Sequence, residues 1–243
     1  MIEVTRQTIH LSIETTGRQG SIALLRGLDP IRFSNLSSTS RTAATLAPEL
    51  EQTFKWCRES DTMPKFLSVA DGPGSFTGLR IGVTTAKSLS YGLGIPLIAV
   101  DSLASIAAAT MREAPDLKTV SVSLNAYRNQ VYAGLFNQKS LLPEFASIPQ
   151  GWSTHPPSVH VLQTEAWETE LAKLPDDIGL AGDAQTLGNR SGAAMKRQCD
   201  AIGTGLLGFL GAHLGQWVNP LQLAPRYLKP SAAEEKAAAG KHA

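Results

Sequence analysis

Residues 72–78 read GPGSFTG, and the glycines and proline force the chain through a tight turn just before a long helical pattern begins. Ser75 or Thr77 is placed to cap the free amides of the first helical turn, and Arg80 follows on the helix itself. Beyond it, Gly78, Gly82 and Ala86 recur every four residues as one stripe of small side chains, while Phe76, Leu79, Val83 and Leu89 supply apolar contacts. An interior glycine costs a helix about 1 kcal/mol against alanine, so the stripe has to face something that approaches closely.

A phosphate cradle is one reading, because free amides at a helix N-terminus attract anions. The spacing does not fit the named versions. Gly72-x-Gly74-x-x-x-Gly78 is neither a dinucleotide fingerprint nor a P-loop, since no Gly-Lys-Ser/Thr triplet follows and Lys87 lies two turns too far along. A nucleophile elbow fails as well, because Pro73 and Thr77 flank Ser75 where glycines are required. Packing through small residues is the favoured reading, against either the protein's own core or a partner helix.

Charge and cysteine usage narrow the classes further. A formal net charge of +1 provides no basic footprint for wrapping RNA, so any RNA contact by this chain alone is expected to be weak. Cys57 and Cys199 lie far apart without CxxC spacing, which indicates neither a disulfide framework nor a zinc site. The histidines, His10, His155, His160, His213 and His242, include no pair at i, i+4, so no metal is expected. No run of about twenty apolar residues occurs and the N-terminus lacks a signal peptide's apolar segment, so the expected location is cytoplasmic, with no membrane contact.

An internal echo organises the chain. Residue n set against residue n+111 pairs Leu11-Ser12-Ile13 with Val122-Ser123-Leu124, Glu14 with Asn125, and Gln19 with Gln130. Each copy reads as strand, polar turn, strand, with Ile9, Leu11 and Ile13 alternating with His10 and Ser12 as on a half-buried strand. Residues 42–57 read as a helix that Pro48 should kink or restart. Strands are expected over 66–70, 96–100 and 178–181, an alanine-rich helix over 102–111 and a glycine-bearing apolar helix over 204–217. The segment 151–157 reads as loop, and the final SAAEEKAAAGKHA as a flexible tail.

The whole stretch DGPGSFTGLRIGVTTAKSLSYGLGIPLIAVDSL resembles the signature of the bacterial TsaB (YeaZ) family. IHLSIETTGRQGSIALL is similar to that family's first hairpin, SRTAATLAPELEQTF to its first helix, SVSLNAYRNQVYAGLF to its second-lobe hairpin and LAPRYLK to its ending. The resemblance implies a two-lobed actin-like α/β fold, that of the sugar-kinase and Hsp70 superfamily, with an N-terminal lobe over 1–101 that carries the partner interface, a second lobe over 102–230 whose last helix is expected to return to the first lobe, and a flexible tail over 231–243. It implies a non-catalytic subunit that helps install threonylcarbamoyl on the adenosine after the anticodon of tRNAs reading ANN codons. On that reading the chain heterodimerises with the catalytic subunit TsaD, acts with the ATPase TsaE and reaches tRNA through the complex. It forms a homodimer when alone, needs no cofactor of its own and leaves ATP and magnesium to the complex.

The resemblance also implies site residues. The partner interface would use Arg41, Thr42, Thr45 and Leu46 on the first helix, with Ser75, Phe76, Thr77, Gly78, Arg80, Gly82, Thr85 and Ala86 on the second. Glu14, Thr15 and Thr16 stand where an actin-like ATPase holds magnesium and phosphate, as a vestigial nucleotide site or as an ordinary turn. The family usually has aspartate at Glu14, and Asn125 stands where the second hairpin's aspartate is expected. Tyr127, Arg128 and Tyr132 are either RNA contacts or plain hairpin residues. Two other classes stay open. An enzyme of the same superfamily, a small-molecule kinase or glycoprotease, would need an adenosine loop at Gly179–Gly182 or Gly203–Gly205. A self-associating scaffold would use the same helices with itself.

Overall fold

The computed structural model describes residues 2–17, 19–37, 42–187, 194–196 and 198–229. Its first sheet uses β1 (Ile9–Glu14), β2 (Ser21–Arg26), β3 (Asp29–Asn35), β4 (Phe66–Gly72) and β5 (Leu97–Asp101), in the order β3-β2-β1-β4-β5. Helices α1 (Thr42–Glu59) and α2 (Phe76–Leu93) make the connections to β4 and β5, and α3 (Ser102–Glu113) follows β5. β1 runs antiparallel to β2 and parallel to β4.

The second sheet repeats the arrangement. It contains β6 (Thr119–Tyr127), β7 (Gln130–Asn137), β8 (Val159–Gln163), β9 (Gly179–Gly182) and β10 (Ala194–Lys196). Read from the other edge, its order is β8-β7-β6-β9-β10, the same path through space as the first. The short helix α4 (Gln138–Leu141) follows β7, α5 (Thr164–Lys173) precedes β9 and α6 (Ala201–His213) follows β10. The internal echo is therefore a duplicated topology, with one adjustment. Ser12 pairs with Ala23, but Ser123 pairs with Ala133 rather than Gly134, because the β6–β7 turn is tighter and carries a bulge between Asn125 and Tyr127.

Helices α3 and α6 lie against each other between the two sheets. A Cβ added to Gly203 would sit 2.1 Å from the Ser105 carbonyl oxygen of α3, one on Gly205 2.5 Å from Leu25 of β2, and one on Gly208 2.4 Å from Ser68 of β4. The glycines of α6 are thus what lets it lie on the first sheet. The Gly203–Gly205 segment and Gly182, whose Cβ would meet the Ser123 carbonyl oxygen at 1.9 Å, serve internal packing rather than an adenosine loop. Asp200 caps α6 by accepting from the Gly203 N–H at 2.9 Å, so the helix starts earlier and ends sooner than its apolar run suggests.

Two further expectations are corrected. β1 is buried on both faces, because α6 covers the side that alternation assigned to solvent. His10 is fully buried there, its Nε2 donating to the Gly27 carbonyl at 2.8 Å and its ring stacked on Phe66 at 4.6 Å. Burial pushes its imidazole down to about 4, so it is held neutral, with the Gly27 hydrogen bond opposing only in part. Helix α1 also runs unbroken through Pro48, which lies on its exposed side, while Leu46, Leu50, Thr53 and Cys57 form the buried stripe. The tail over 231–243 lies outside the described residues.

After α6 the chain returns as a strap across both halves. The Val218 N–H donates to the Leu97 carbonyl at 2.9 Å, and the Arg226 N–H to the Asp71 carbonyl at 2.7 Å. Three residues on, Lys229 Nζ donates to the Ala126 carbonyl and to Gln130 Oε1, each at 2.8 Å. The strap therefore ties the β4 end of the first sheet to the β6–β7 turn of the second.

Candidate functional site

The small-residue stripe of α2 meets the protein's own backbone. A Cβ on Gly78 would lie 1.9 Å from the Thr15 carbonyl oxygen, and one on Gly82 would lie 2.3 Å from Thr15 Oγ1. Thr15 Oγ1 in turn donates to the Gly78 carbonyl at 2.7 Å, and the Ser75 N–H donates to the Thr16 carbonyl at 2.8 Å. The residues after β1 are thus clamped onto the first two turns of α2. Ser75 is the N-cap, its Oγ accepting from the Gly78 N–H at 3.4 Å.

Of the interface residues that the resemblance implies, Gly78, Gly82, Ala86 and Leu46 are buried inside the protein. Ser75, Phe76, Thr77 and Arg80 are exposed, and Thr42, Thr45 and Thr85 are half-buried. Arg41 lies outside the described residues. The outward face of α2 consists instead of Thr77, Thr84, Ser88 and Tyr91, beside Ala44, Ala47 and Glu51 of α1.

The same clamp seals the first hairpin turn. Glu14 is 0% exposed, and Thr15 and Thr16 are buried with it. Glu14 Oε1 accepts from both the backbone N–H and the hydroxyl of Thr16, while Oε2 has no hydrogen-bond partner among the described residues. Burial pushes the carboxyl up to about 7. The two Thr16 donors oppose this and the nearby Asp200 charge adds to it. An actin-like fold implies a magnesium nucleotide at this turn, but the residues present do not fit one. The carboxylate is enclosed, Asn125 replaces its counterpart, and no group of three His, Cys, Asp or Glu side chains able to hold a metal occurs among the described residues.

The second hairpin turn is open. Tyr127, Arg128 and Asn129 adopt left-handed backbone with φ of 59°, 54° and 60°, and Tyr127 is 68% exposed. Asn125 holds the turn, accepting from the Tyr127 N–H at 2.7 Å through Oδ1 and donating to Gln185 Oε1 at 3.0 Å. Between this turn, the start of α2 and the strap lies a cleft of about 710 Å³. On its wall Arg80 lies over the Phe76 ring at 4.0 Å, Phe76 stacks on Tyr227 at 4.9 Å, and Arg80 Nε donates to the Tyr227 hydroxyl at 3.1 Å. Arg226, at the base, pairs with Asp101 and donates to the Gly72 carbonyl. Beside it His155 Nε2 lies 2.8 Å from Asp71 Oδ1, joining the 151–157 loop to the end of β4.

Tyr127, Arg128 and Tyr132 thus share one cleft with Ser75, Phe76 and Arg80. Tyr227 and Lys229 join them through the strap's path, because LAPRYLK, although similar to the family's ending, reads as a segment returning to pack on the fold and not as a binding motif.

Two matched five-stranded sheets, with paired helices between them, define a two-lobed α/β protein with the duplicated topology expected of an actin-like fold. A solved structure described as YeaZ from Pseudomonas aeruginosa has the same fold, with a TM-score of 0.67 over 91% of this chain and 100% of that one at 22% identity. The family model for TsaD, tRNA N6-adenosine threonylcarbamoyltransferase, matches residues 40–142. The chain is 39% identical over 138 residues to the tRNA threonylcarbamoyladenosine biosynthesis protein TsaB of Bacillus subtilis, and 31% identical over 124 residues to that of Buchnera aphidicola. These matches cover 55% and 51% of this chain and 57% and 55% of those proteins, so the chain spans little more than half the length of the curated relatives it matches. The resemblance to the TsaB family is borne out.

Proposed function

We propose that this chain is a non-catalytic subunit in the threonylcarbamoylation of tRNA adenosine, acting in the cytoplasm beside a TsaD-type catalytic subunit and a TsaE-type ATPase. The observation that carries this reading is the 39% identity to a protein named for that pathway. In support, the outward face of α1 and α2 presents the small side chains Ala44, Ala47, Thr84 and Ser88, flanked by Glu51, Arg80 and Tyr91, which suits a helix-to-helix contact with a homologous partner. The chain requires no cofactor of its own, and ATP with magnesium enters through its partners.

The test is reconstitution on unmodified tRNA with TsaC-type, TsaD and TsaE proteins, with and without this chain, read by nucleoside mass spectrometry. Product should appear only when the chain is present. Thr84→Arg, on the exposed face, should abolish copurification with TsaD and lower product without changing the thermal midpoint of the isolated chain. Undiminished product when the chain is omitted would overturn the reading.

A further inference from the structure

The cleft between the α2 start and the second hairpin turn has a lining unlike the rest of this nearly neutral protein. Its side chains include Arg80, Arg128 and Lys229, with Arg226 at the base already paired to Asp101 behind the wall, and none of the lining residues is Asp or Glu. It also takes three of the chain's four tyrosines, Tyr127, Tyr132 and Tyr227, together with Phe76. With a formal net charge of only +1 for the whole chain, such segregation marks a place built for negative charge accompanied by a flat π surface.

The parts are held before any ligand arrives. Phe76, Arg80 and Tyr227 form a closed triangle of stacking and hydrogen bonding, so the platform loses little side-chain freedom on binding. Lys229 fixes the opposite wall through the Ala126 carbonyl and Gln130, and left-handed backbone at Tyr127 and Arg128 sets that wall's outer edge. Left-handed backbone at two side-chain-bearing, non-Asn residues persists where the surroundings enforce it. The volume, about 710 Å³, lies within the roughly 300–1,000 Å³ of small-molecule sites and leaves room for a base with its sugar and phosphate.

We infer that this cleft receives a nucleotide of single-stranded RNA. Its base stacks on Tyr127 or on the Tyr227 and Phe76 faces, and its phosphodiester lies against Arg80, Arg128 and the first amides of α2. A free nucleoside triphosphate is disfavoured because no carboxylate lines the cleft to hold its magnesium, and an acidic peptide would leave the aromatic faces without stacking partners. The inference rests on the proposed role in tRNA modification for its choice of RNA, and it assigns this chain a direct contact with the strand.

The experiment is fluorescence anisotropy of the purified full chain with a fluorescein-labelled oligoadenylate about eight nucleotides long, a length typical of single-strand sites. Saturable binding is expected, with a slope of log K against log salt of about −1.4 for two neutralised phosphates. Tyr127→Asn, which keeps a residue tolerant of left-handed backbone, and Arg80→Gln should each weaken binding about tenfold, with circular dichroism melts unchanged. No binding by the wild type at low salt overturns the inference, as does binding that both variants retain, because the strand then lies elsewhere. Displacement of the oligoadenylate by an equal nucleotide concentration of ATP with magnesium overturns it in favour of a free-nucleotide site. Because no modification enzyme is present, failure here leaves the subunit role standing. Dispensability of the chain in reconstitution likewise leaves the cleft measurement intact.

Discussion

The two hairpin turns of this protein occupy equivalent places in matched sheets, yet one is sealed and the other is open. At the end of β1, Glu14 to Thr16 is buried under α2, whose glycines admit the Thr15 carbonyl to within 1.9 Å of where a Cβ would stand. At the end of β6 the turn projects beside a cleft, with Tyr127 mostly exposed and, among the described residues, no glycine-bearing helix drawn down upon it. Duplicated topology therefore does not carry duplicated chemistry. What decides each turn is the helix or strap that packs next to it, and in the first lobe that packing has closed the place where an actin-like protein would hold a phosphate.

The largest test of this contrast is Gly78→Ala. On helix propensity alone the change should stabilise by about 1 kcal/mol, whereas the clash with the Thr15 carbonyl should destabilise by about 3 kcal/mol or more, because backbone and not a flexible side chain is in the way. Urea denaturation reads the difference, and a gain in stability would mean the first turn is not clamped. The related change Gly82→Leu is expected to unfold the protein rather than merely detach a partner.

Next in size is the pH dependence carried by Glu14. Its folded pKa, raised to about 7 from an ordinary 4.5, means the folded state binds more protons than the unfolded state across that window. Its contribution is fully present below about 4.5 and is lost as pH rises through about 7, a change of order 3 kcal/mol. Buried His10 runs the other way. Its pKa, lowered to about 4 from 6.5, gives stability that is full above 6.5 and is lost as pH falls through about 4. The two slopes oppose each other between about 4.5 and 6.5, so the wild type should be flattest there. Glu14→Gln removes one of them and should leave a melting temperature that rises steadily from pH 4 to 6.5 and does not fall beyond it. An unchanged profile would place the Glu14 carboxyl in contact with water.

The smallest effect is expected at the open turn. Asn125→Asp replaces the amide that donates to Gln185 and sets a carboxylate near Asp183, which already accepts from the residue 125 N–H at 2.8 Å. A loss of about 1 kcal/mol above the carboxylate range is expected, and a change as large as that at Gly78 would show the second turn to be as enclosed as the first.

How much of this could be read beforehand varies by residue. The strands over 66–70 and 96–100, a hydroxyl cap at Ser75 or Thr77 and the repeat of Leu11-Ser12-Ile13 in Val122-Ser123-Leu124 follow from local pattern, because turn residues and alternation act over a few positions, and the structure extends the strands to Gly72 and Asp101 and selects Ser75. The edge strands β3 and β8 went unread, since half-exposed edges carry little alternation. The glycine stripe was legible as a demand for close approach, but its direction was not. A period of four places Gly78, Gly82 and Ala86 on one side of a helix without saying whether that side meets a partner or the protein's own Thr15.

The sequence alone determined most of the element types, the duplication and the resemblance to TsaB proteins, all of which rest on short-range propensity and on local motifs. Only the tertiary structure decided that the stripe faces inward, that α6 buries both sides of β1, and that residues 226–229 join Phe76 and Tyr127 around one cleft. Those outcomes depend on which surfaces, as far apart in the chain as the 189 residues between Ser12 and Ala201, shield one another from water, and no local pattern encodes such a pairing.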